Sequence, residues 1–412
     1  MAGYGSPLIA GLGCLLVGCS PASPRGPATP GVAGDTITIA ALTPLSDAVA
    51  VIGNPLLAGL EVYFQSINQE KGGVAGRYRV RILAEDITYA NPSTSVQKYQ
   101  KIKDQVALIA IAVGTDHVNS LLPLLEEDSI VTSPTTFDAE WIREPRLLPF
   151  GVPYQIWVIN GASYYREKEG ADKTICSLVL ATGYGEAGEE GLEFAAKELG
   201  FPIAVKARFR QDDQDFVAPI TQLRNARCDA VFLGSLPGVT GKVLGAAAQL
   251  SYEPRWIAQA PSWHGILAES PLEEYYAKTL WVLANGPEWG DTTVAGMRAM
   301  VGAVGRYRPQ QRPDLYFTAG WVIARGAHHL LEKAVALGDL SRAGLLSALQ
   351  QLGTLSHDGL WPDYGYGAID TREPPRTTSV FRINPAKPFG LEELAREVSS
   401  PAAERFQFAR KR

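Results

Sequence analysis

Six short segments that carry hydroxyl, acidic and aromatic side chains each follow a predicted buried strand. They are TPLS (43–46), GTDH (114–117), SPTTFD (133–138), TGYG (182–185), SLPG (235–238) and QAPSWH (259–264). Hydroxyls and the backbone N–H groups at helix N-termini bind carboxylates, and acidic side chains bond to cationic groups. Because ligands of open α/β sheets sit beyond the carboxyl ends of the strands, the six segments predict one binding cleft for a small molecule.

Motifs that would make such a cleft the active site of a known enzyme class do not occur in the sequence. The segment GSLPGVTGK (234–242) resembles a phosphate-binding loop, but Leu236 occupies the position that needs glycine. Val243 then follows the lysine, where Ser or Thr is required. The sequence contains neither H-E-x-x-H nor G-x-S-x-G, and its 5 histidines are scattered. We therefore expect no catalytic residues, no metal and no cofactor.

The composition bounds the size and the partners of the protein. The chain has 412 residues, of which 46% are apolar, which suits two or three folded units. Its 38 basic and 43 acidic residues give a net charge of −5, without the basic field that is usual in nucleic-acid-binding proteins. We therefore expect no nucleic acid partner.

Residues 1–34 have the pattern of an export signal followed by a tether. Residues 8–17 are apolar or small, a length that suits a signal-peptide core and is too short to span a bilayer. The segment LVGC (16–19) resembles the lipobox of bacterial lipoproteins, in which the Cys19 thiol receives diacylglycerol and anchors the chain. No Lys or Arg precedes Arg25, unlike in most signal peptides, so an apolar leader with an incidental cysteine is the alternative. We predict a signal peptide at 1–18, a lipid-anchored tether at 19–34 and an extracytoplasmic location.

Beyond residue 34, predicted strands and helices alternate in two series. The first runs from DTITIAAL (35–42) to SIVTS (129–133), and the second from TICSLVLA (174–181) to RWIAQA (255–260). This alternation predicts parallel sheets covered by helices on both faces. A break at 147–154 and a crossing at 279–287 predict an α/β fold of two doubly wound parallel-sheet lobes joined by several crossing segments. The predicted bounds are 35–150 and 285–357 for lobe 1, 151–284 and 358–385 for lobe 2, and 386–412 for a C-terminal tail.

Two cysteines of the second series, Cys176 and Cys228, each begin a predicted strand. An exported protein could oxidise them to a disulfide. Two buried free thiols are favoured here, because neighbouring strand positions rarely meet disulfide geometry.

The ordered set of segments resembles a known family over about residues 35–385. The stretches that carry the resemblance are ITIAALTPLSDAVAVIGNPLLAGLEVYFQSINQEKGGVAGR, EDITYANPSTSVQK, IVTSPTTFDAEW and TGYGEAGEEGLEFAAKELG. They resemble the leucine/isoleucine/valine-binding type of periplasmic binding protein, the extracytoplasmic receptor of branched-chain amino-acid ABC importers. The resemblance implies a small-molecule ligand, closure of two lobes around it, and permease subunits of an ABC transporter as partners.

The resemblance also implies a set of ligand-binding residues. Thr115, Thr135 and Thr136 match positions that hold a ligand carboxylate, although each could simply cap a helix. Tyr184 matches a tyrosine that covers the ligand from the second lobe, with a packed core tyrosine as the alternative. The full candidate set is Ser46, Asp47, Thr115, Asp116, Thr135, Thr136, Tyr184, Gln259 and Trp263.

One loop departs from the family pattern. Amino-acid binders usually place a carboxylate where this sequence reads AQAPS (258–262). Because an unpaired buried ammonium is costly, either Asp47, Asp116 or Glu186 substitutes, or the ligand is not an α-amino acid. We expect a receptor that captures an amino acid, an amide or a related carboxylate for an ABC importer. The alternative is a sensory ligand-binding module of the same fold.

Overall fold

The structure, a computed structural model, describes residues 1–3 and 29–409, so the expectations for Cys19 and most of the signal segment lie outside the described residues. Strands and helices alternate from residue 32 onward. The first series consists of β1 (Val32–Ala33), β2 (Thr36–Thr43), α1 (Ala50–Glu70), β3 (Arg79–Asp86), α2 (Ser93–Ile102), β4 (Leu108–Val113), α3 (Thr115–Asp128) and β5 (Thr132–Thr135).

A second series follows, and the chain then returns to each lobe in turn. The second series consists of α4 (Tyr154–Glu169), β6 (Ile175–Leu180), α5 (Gly183–Leu199), β7 (Ile203–Phe209), α6 (Val217–Asn225), β8 (Ala230–Gly234), α7 (Pro237–Gln249), β9 (Arg255–Gln259), α8 (Glu273–Thr279) and β10 (Leu280–Ala284). The remaining elements are α9 (Ala295–Tyr307), α10 (Leu315–Ala336), α11 (Arg342–Gln350), β11 (Thr354–Leu355), β12 (Tyr364–Gly365), β13 (Thr378–Ile383), β14 (Leu391–Val398) and α12 (Pro401–Arg405).

The sheet of the first lobe has the parallel order β3-β2-β4-β5, with the short β1 antiparallel to β2. All six residues of β4 are buried, as are seven of the eight residues of β2. Both faces of this sheet are therefore covered, which explains why its strands are continuous apolar runs without alternation. The strand order reverses between β2 and β4, and such a reversal opens a crevice at the carboxyl edge of the sheet.

The sheet of the second lobe has the order β14-β13-β10-β9-β8-β6-β7. Its strands β6 to β10 are parallel, and β13 and β14 add to one edge in the antiparallel sense. Within residues 29–409, the chain passes between the lobes after β5, after β10 and after α11. The predicted architecture of two doubly wound lobes with several crossing segments is confirmed, while the predicted residue bounds of the lobes stay a prediction.

Two parts of the chain differ from the sequence expectation. Residues 391–398, expected in a C-terminal tail, form the edge strand β14, and 401–405 form α12. The reason is that β14 (LEELAREV) is half-exposed, so its charged residues give no buried-strand signal. Helix α4 was not predicted, because it is buried on nearly all sides over its first half and lacks an amphipathic pattern.

A close crossing of α1 and α10 fixes one wall of the first lobe. A Cβ on Gly59 would lie 2.2 Å from the carbonyl oxygen of Phe317, and a Cβ on Gly320 would lie 2.0 Å from that of Leu56. Glycine is therefore required on both helices for their backbones to touch. This crossing places the N-terminal turns of both helices beside the other lobe.

Cys176 and Cys228 are bonded, which corrects the expectation of two free thiols. Cys176 lies in β6, but Cys228 precedes the first residue of β8, Ala230, and is outside the strand ladder. Its backbone is therefore free of the strand geometry that disfavours a disulfide between adjacent strands, and the Cα–Cα distance is 5.9 Å.

Candidate ligand-binding site

A cavity lies between the carboxyl ends of the strands of both sheets. As far as the described residues show, five of the six polar segments contribute to its lining, through Gly114, Thr135–Phe137, Tyr184, Leu236 and Ala260–Pro261. The segment 43–46 contributes nothing, although Val49 and Ile52 just beyond it do. The empty space, with the solvent at the mouth included, is about 1110 Å³. The strand ends of the two lobes therefore meet at one shared cleft, as the sequence predicted.

The lining is apolar and uncharged. Among the residues that the structure describes, no Asp, Glu, Lys, Arg or His lines the cavity. Aromatic rings dominate its walls, and the ring centroids of Phe137 lie 5.3 Å from Tyr154, 5.4 Å from Trp157 and 5.7 Å from Trp361. Aromatic walls bury large areas and favour an apolar or aromatic guest.

Four residues, which we call the cleft group, supply polar atoms where the lobes face each other: Thr135, Thr136, Tyr154 and Tyr184. The Thr135 hydroxyl is buried, and no hydrogen-bond partner for it exists in the described part of the chain. The Tyr154 phenol lies beside the Thr136 hydroxyl and the Phe137 N–H. Burial raises the pKa of both tyrosines above its ordinary value, so both phenols stay protonated and can donate to a ligand oxygen.

Thr135, Thr136 and Tyr184 of the candidate set therefore line the cavity. Thr115 lies directly behind them, where its hydroxyl is 2.7 Å from that of Thr136. Ligand binding by these four residues remains a proposal.

Ser46 and Asp47 do not line the cavity, and their role in ligand binding stays a prediction. The Ser46 hydroxyl donates to Asp86 at 2.5 Å. The Asp47 carboxylate accepts from the N–H groups of Val49 at 2.8 Å and Tyr89 at 2.7 Å. The Asp47 carboxylate is therefore occupied by hydrogen bonds to the backbone, one of them in the loop whose Tyr89 lines the cavity.

Asp116 joins the two lobes and does not line the cavity. It lies in the first turn of α3, and its carboxylate accepts a hydrogen bond of 3.1 Å from the N–H of Gly183, the first residue of α5. The carboxylate thus satisfies a helix N-terminus of the opposite lobe, a favourable place for negative charge. We call this contact the interlobe bond.

Trp263 and Gln259 are not among the residues that line the cavity, and their contact with a ligand stays a prediction. The Trp263 ring is fully buried and donates to the Phe389 carbonyl at 3.1 Å. The Gln259 carboxamide is fully buried near Gly188, and neither its oxygen nor its nitrogen has a hydrogen-bond partner among residues 29–409. Both side chains support the wall and do not face the space.

A second contact between the lobes involves the start of α10. Asp314 caps this helix by accepting from the N–H groups of Tyr316 and Phe317, each at 2.9 Å. The Tyr316 phenol donates to the Trp263 carbonyl in the other lobe at 2.6 Å. Burial raises the pKa of Asp314 to about 7, and His264 of the second lobe lies 3.8 Å from its carboxylate. Burial also lowers the pKa of His264.

Sequence reasoning missed the aromatic residues of the crossing segments. Tyr154 and Trp157 begin α4, while Trp289 and Trp361 lie in the second and third crossings. The available signal was the interruption at 147–154, because a crossing segment between two lobes must border their cleft. The expectation that ligand-binding residues follow the carboxyl ends of strands does not identify these residues, because they lie in or next to the segments that connect the lobes.

Two structural features are absent from residues 1–3 and 29–409. None of the helices there combines the length and the apolarity needed to cross a bilayer. No group of three or more His, Cys, Asp or Glu side chains in that part is arranged to hold a metal ion.

Comparison with known proteins gives a family match over residues 36–388, to the family described as periplasmic binding protein. A curated leucine-, isoleucine-, valine-, threonine- and alanine-binding protein of Pseudomonas aeruginosa is 25% identical over 229 residues. This alignment covers 55% of the chain, and the chain spans only 61% of the length of that relative.

Solved structures share the fold. A fatty acid ABC transporter substrate-binding protein from Thermomonospora curvata has a TM-score of 0.85 at 21% identity, covering 92% of this chain and 97% of that one. A branched-chain amino acid ABC transporter structure from Thermus thermophilus, with bound valine, has a TM-score of 0.78 at 15% identity, covering 90% and 99%. The family match over most of the chain, together with this two-lobe fold, shows that the chain belongs to the periplasmic binding protein family, a family of solute receptors and not of enzymes.

Proposed function

We propose that this protein is an extracytoplasmic receptor that captures a small solute between its lobes and delivers it to an ABC importer. The observation that carries the proposal is the uncharged cavity between the strand ends of both lobes. The interlobe bond and the Tyr316 hydrogen bond hold the lobes together around it. Closure of two lobes over a ligand is an established mode for such an architecture.

The lining favours a solute with an apolar body and one polar head over an α-amino acid. A zwitterion brings a buried ammonium, and no acidic side chain of the described residues lines the cavity to pair with it. A carboxylate is easier to accommodate, because the phenols of Tyr154 and Tyr184 and the hydroxyl of Thr135 can all donate to it. We therefore propose an aliphatic or aromatic monocarboxylic acid, in keeping with the fatty acid named for the T. curvata protein.

A thermal-shift screen tests this ligand class. The purified protein, freed of any copurified solute by unfolding and refolding, is heated with alkanoic acids, phenylalkanoic acids, leucine and valine. A ligand at a hundredfold excess over its Kd adds about 2.7 kcal/mol to the unfolding free energy. We expect the acids to stabilise the protein and the two amino acids to leave it unchanged. Stabilisation by leucine or valine alone would contradict the proposed ligand.

The lipid anchor and the importer are also part of the proposal. Replacement of Cys19 by Ser should move the protein from the membrane fraction to the extracytoplasmic soluble fraction. Deletion of the gene should lower uptake of the radiolabelled ligand. Unchanged uptake with altered transcription of other genes would favour the sensory alternative.

A further inference from the structure

Asn285, directly after β10, is one of the residues that line the cavity. Its Oδ1 accepts from the Val152 N–H and from Trp157 Nε1, both at 3.2 Å. These two bonds fix the orientation of the carboxamide, because only oxygen can accept from two N–H groups. Nδ2 is then left buried, and no acceptor for it exists among residues 29–409.

Trp289, four residues further along the same crossing segment, presents a second donor. Its ring lines the cavity and packs edge-on against Phe389 at a centroid distance of 5.4 Å. Its Nε1 is buried, and the described part of the chain offers it no acceptor either. We call Asn285 and Trp289 the crossing group.

Two unpaired donors in one apolar cavity are unfavourable without a ligand. Each buried donor that lacks a partner costs on the order of the desolvation of that group, so native structures contain few of them. Phe389, which packs on Trp289, has a φ of 58°, in the left-handed region that a bulky residue rarely adopts. Such strain in a cavity wall is typical of a binding site.

Aromatic rings separate the crossing group from the cleft group. The Tyr154 and Trp157 ring centroids are 5.5 Å apart, and Trp157 then reaches Asn285 through its Nε1. A ligand that touches both groups therefore passes the Tyr154 and Trp157 rings, which give the cavity an apolar middle.

We propose that the crossing group is a second polar subsite, which binds a hydrogen-bond acceptor at the far end of the ligand. This inference rests on the proposed function. The solute is then a bifunctional molecule: a monocarboxylic acid whose apolar chain or ring ends in a hydroxyl or carbonyl oxygen. The crossing group selects it over the simple monocarboxylic acid of the same length.

Calorimetric titration with paired probes tests the subsite. Straight-chain alkanoic acids of six to twelve carbons are compared with their ω-hydroxy counterparts. Because both polar groups are fixed in the protein, the ω-hydroxyl should tighten binding about threefold to tenfold at one or two chain lengths only. Trp289→Phe keeps an aromatic ring on Phe389 and removes the N–H, so it should abolish this gain, measured as the ratio of the two affinities within the same variant.

Trp281→Phe is the matched control. Trp281 lies in β10, the strand that ends directly before Asn285, and it does not line the cavity. This variant should preserve the gain. The subsite alone would be overturned if the acids bound without any dependence on the ω-hydroxyl. It would also be overturned if Trp289→Phe lowered the affinity for both probe types equally. Failure of every acid to bind would overturn the proposed ligand class and the subsite with it.

Discussion

The Thr135 hydroxyl should contribute to the affinity for the ligand and not to the stability of the fold. It is buried, unpaired within residues 29–409 and faces the cavity. Thr135→Val removes this unpaired group, so the unfolding free energy should be unchanged or slightly higher. The affinity for a carboxylic acid should fall about threefold to tenfold, because one hydrogen bond to the ligand is lost. Denaturant unfolding and calorimetric titration measure the two quantities.

Thr132 provides the control for this prediction. Its hydroxyl is also buried and unpaired in the described chain, in the same strand, but Thr132 does not line the cavity. Thr132→Val should affect stability in the same direction and leave affinity unchanged. Equal losses of affinity in both variants would show that the strand, and not the Thr135 hydroxyl, is responsible.

Asp314 should make stability depend on pH. Its folded pKa of about 7 lies above the value near 3.9 of an unfolded Asp. Between these values the folded state holds a proton that the unfolded state has lost, so stability falls as pH rises from about 4 to about 7. In Asp314→Asn the side-chain oxygen can still cap α10, but the side chain has no proton that is lost in this pH range.

The free energy of unfolding of Asp314→Asn, minus that of the parent protein, should therefore increase from about pH 4 to about pH 7. Above about pH 7 the difference should stay constant. Melting temperatures of both proteins at a series of pH values measure the difference. His264 is present in both and titrates in both, so its direct contribution largely cancels. A difference that stays constant from pH 4 to pH 7 would contradict the prediction.

At the residue scale, sequence reasoning predicted the strand-end hydroxyls that line the cavity and missed the lining residues of the crossing segments, such as Asn285 and Trp289. Thr135 is the last residue of β5, and Thr136 and Tyr184 follow strands. The position of strand ends is readable from buried runs. Asp47 and Asp116 also follow strands, but their carboxylates bond to backbone N–H groups, which no sequence pattern distinguishes from ligand contacts.

The interlobe bond gives a prediction at the scale of the helices α3 and α5. Asp116→Ala removes the acceptor for the Gly183 N–H, so the closed form should lose about 1 kcal/mol relative to the open form. Ligand affinity should fall about fivefold, mainly through faster dissociation, and small-angle scattering should show a larger radius of gyration.

Asp116→Asn is the conservative comparison, because its side-chain oxygen can still accept from Gly183. It should retain most of the affinity and the compact shape. If Asp116→Asn were as weak as Asp116→Ala, the charge at the helix N-terminus would matter and not the hydrogen bond.

At the scale of elements, the buried parallel strands were the most predictable part, since continuous apolar runs occur in β2, β4, β6 and β8. The elements that were missed share another property. Helix α4 is buried around most of its circumference, and β14 is half-exposed at a sheet edge, so neither shows the pattern of its class. The residue patterns of α4 and β14 depend on where each element lies in the folded protein, which a single sequence does not reveal.

For the whole molecule, the Cys176–Cys228 disulfide should stabilise the fold without affecting the ligand. It closes a loop with a sequence separation of 52 residues and lies away from the cavity lining. Replacement of both cysteines by Ala should lower the unfolding free energy by about 2–4 kcal/mol through the entropy of the unfolded chain. Calorimetric titration should give the same Kd as the parent protein, and a weaker Kd would show that the second lobe had changed shape.

The walls of the cavity are drawn from positions as far apart as Val49 and Leu391, and the last of them belongs to β14. The cavity wall is therefore complete only in a chain that extends through Leu391. Nascent or proteolytically clipped copies that lack this strand gain no protection from the solute, whereas complete copies do.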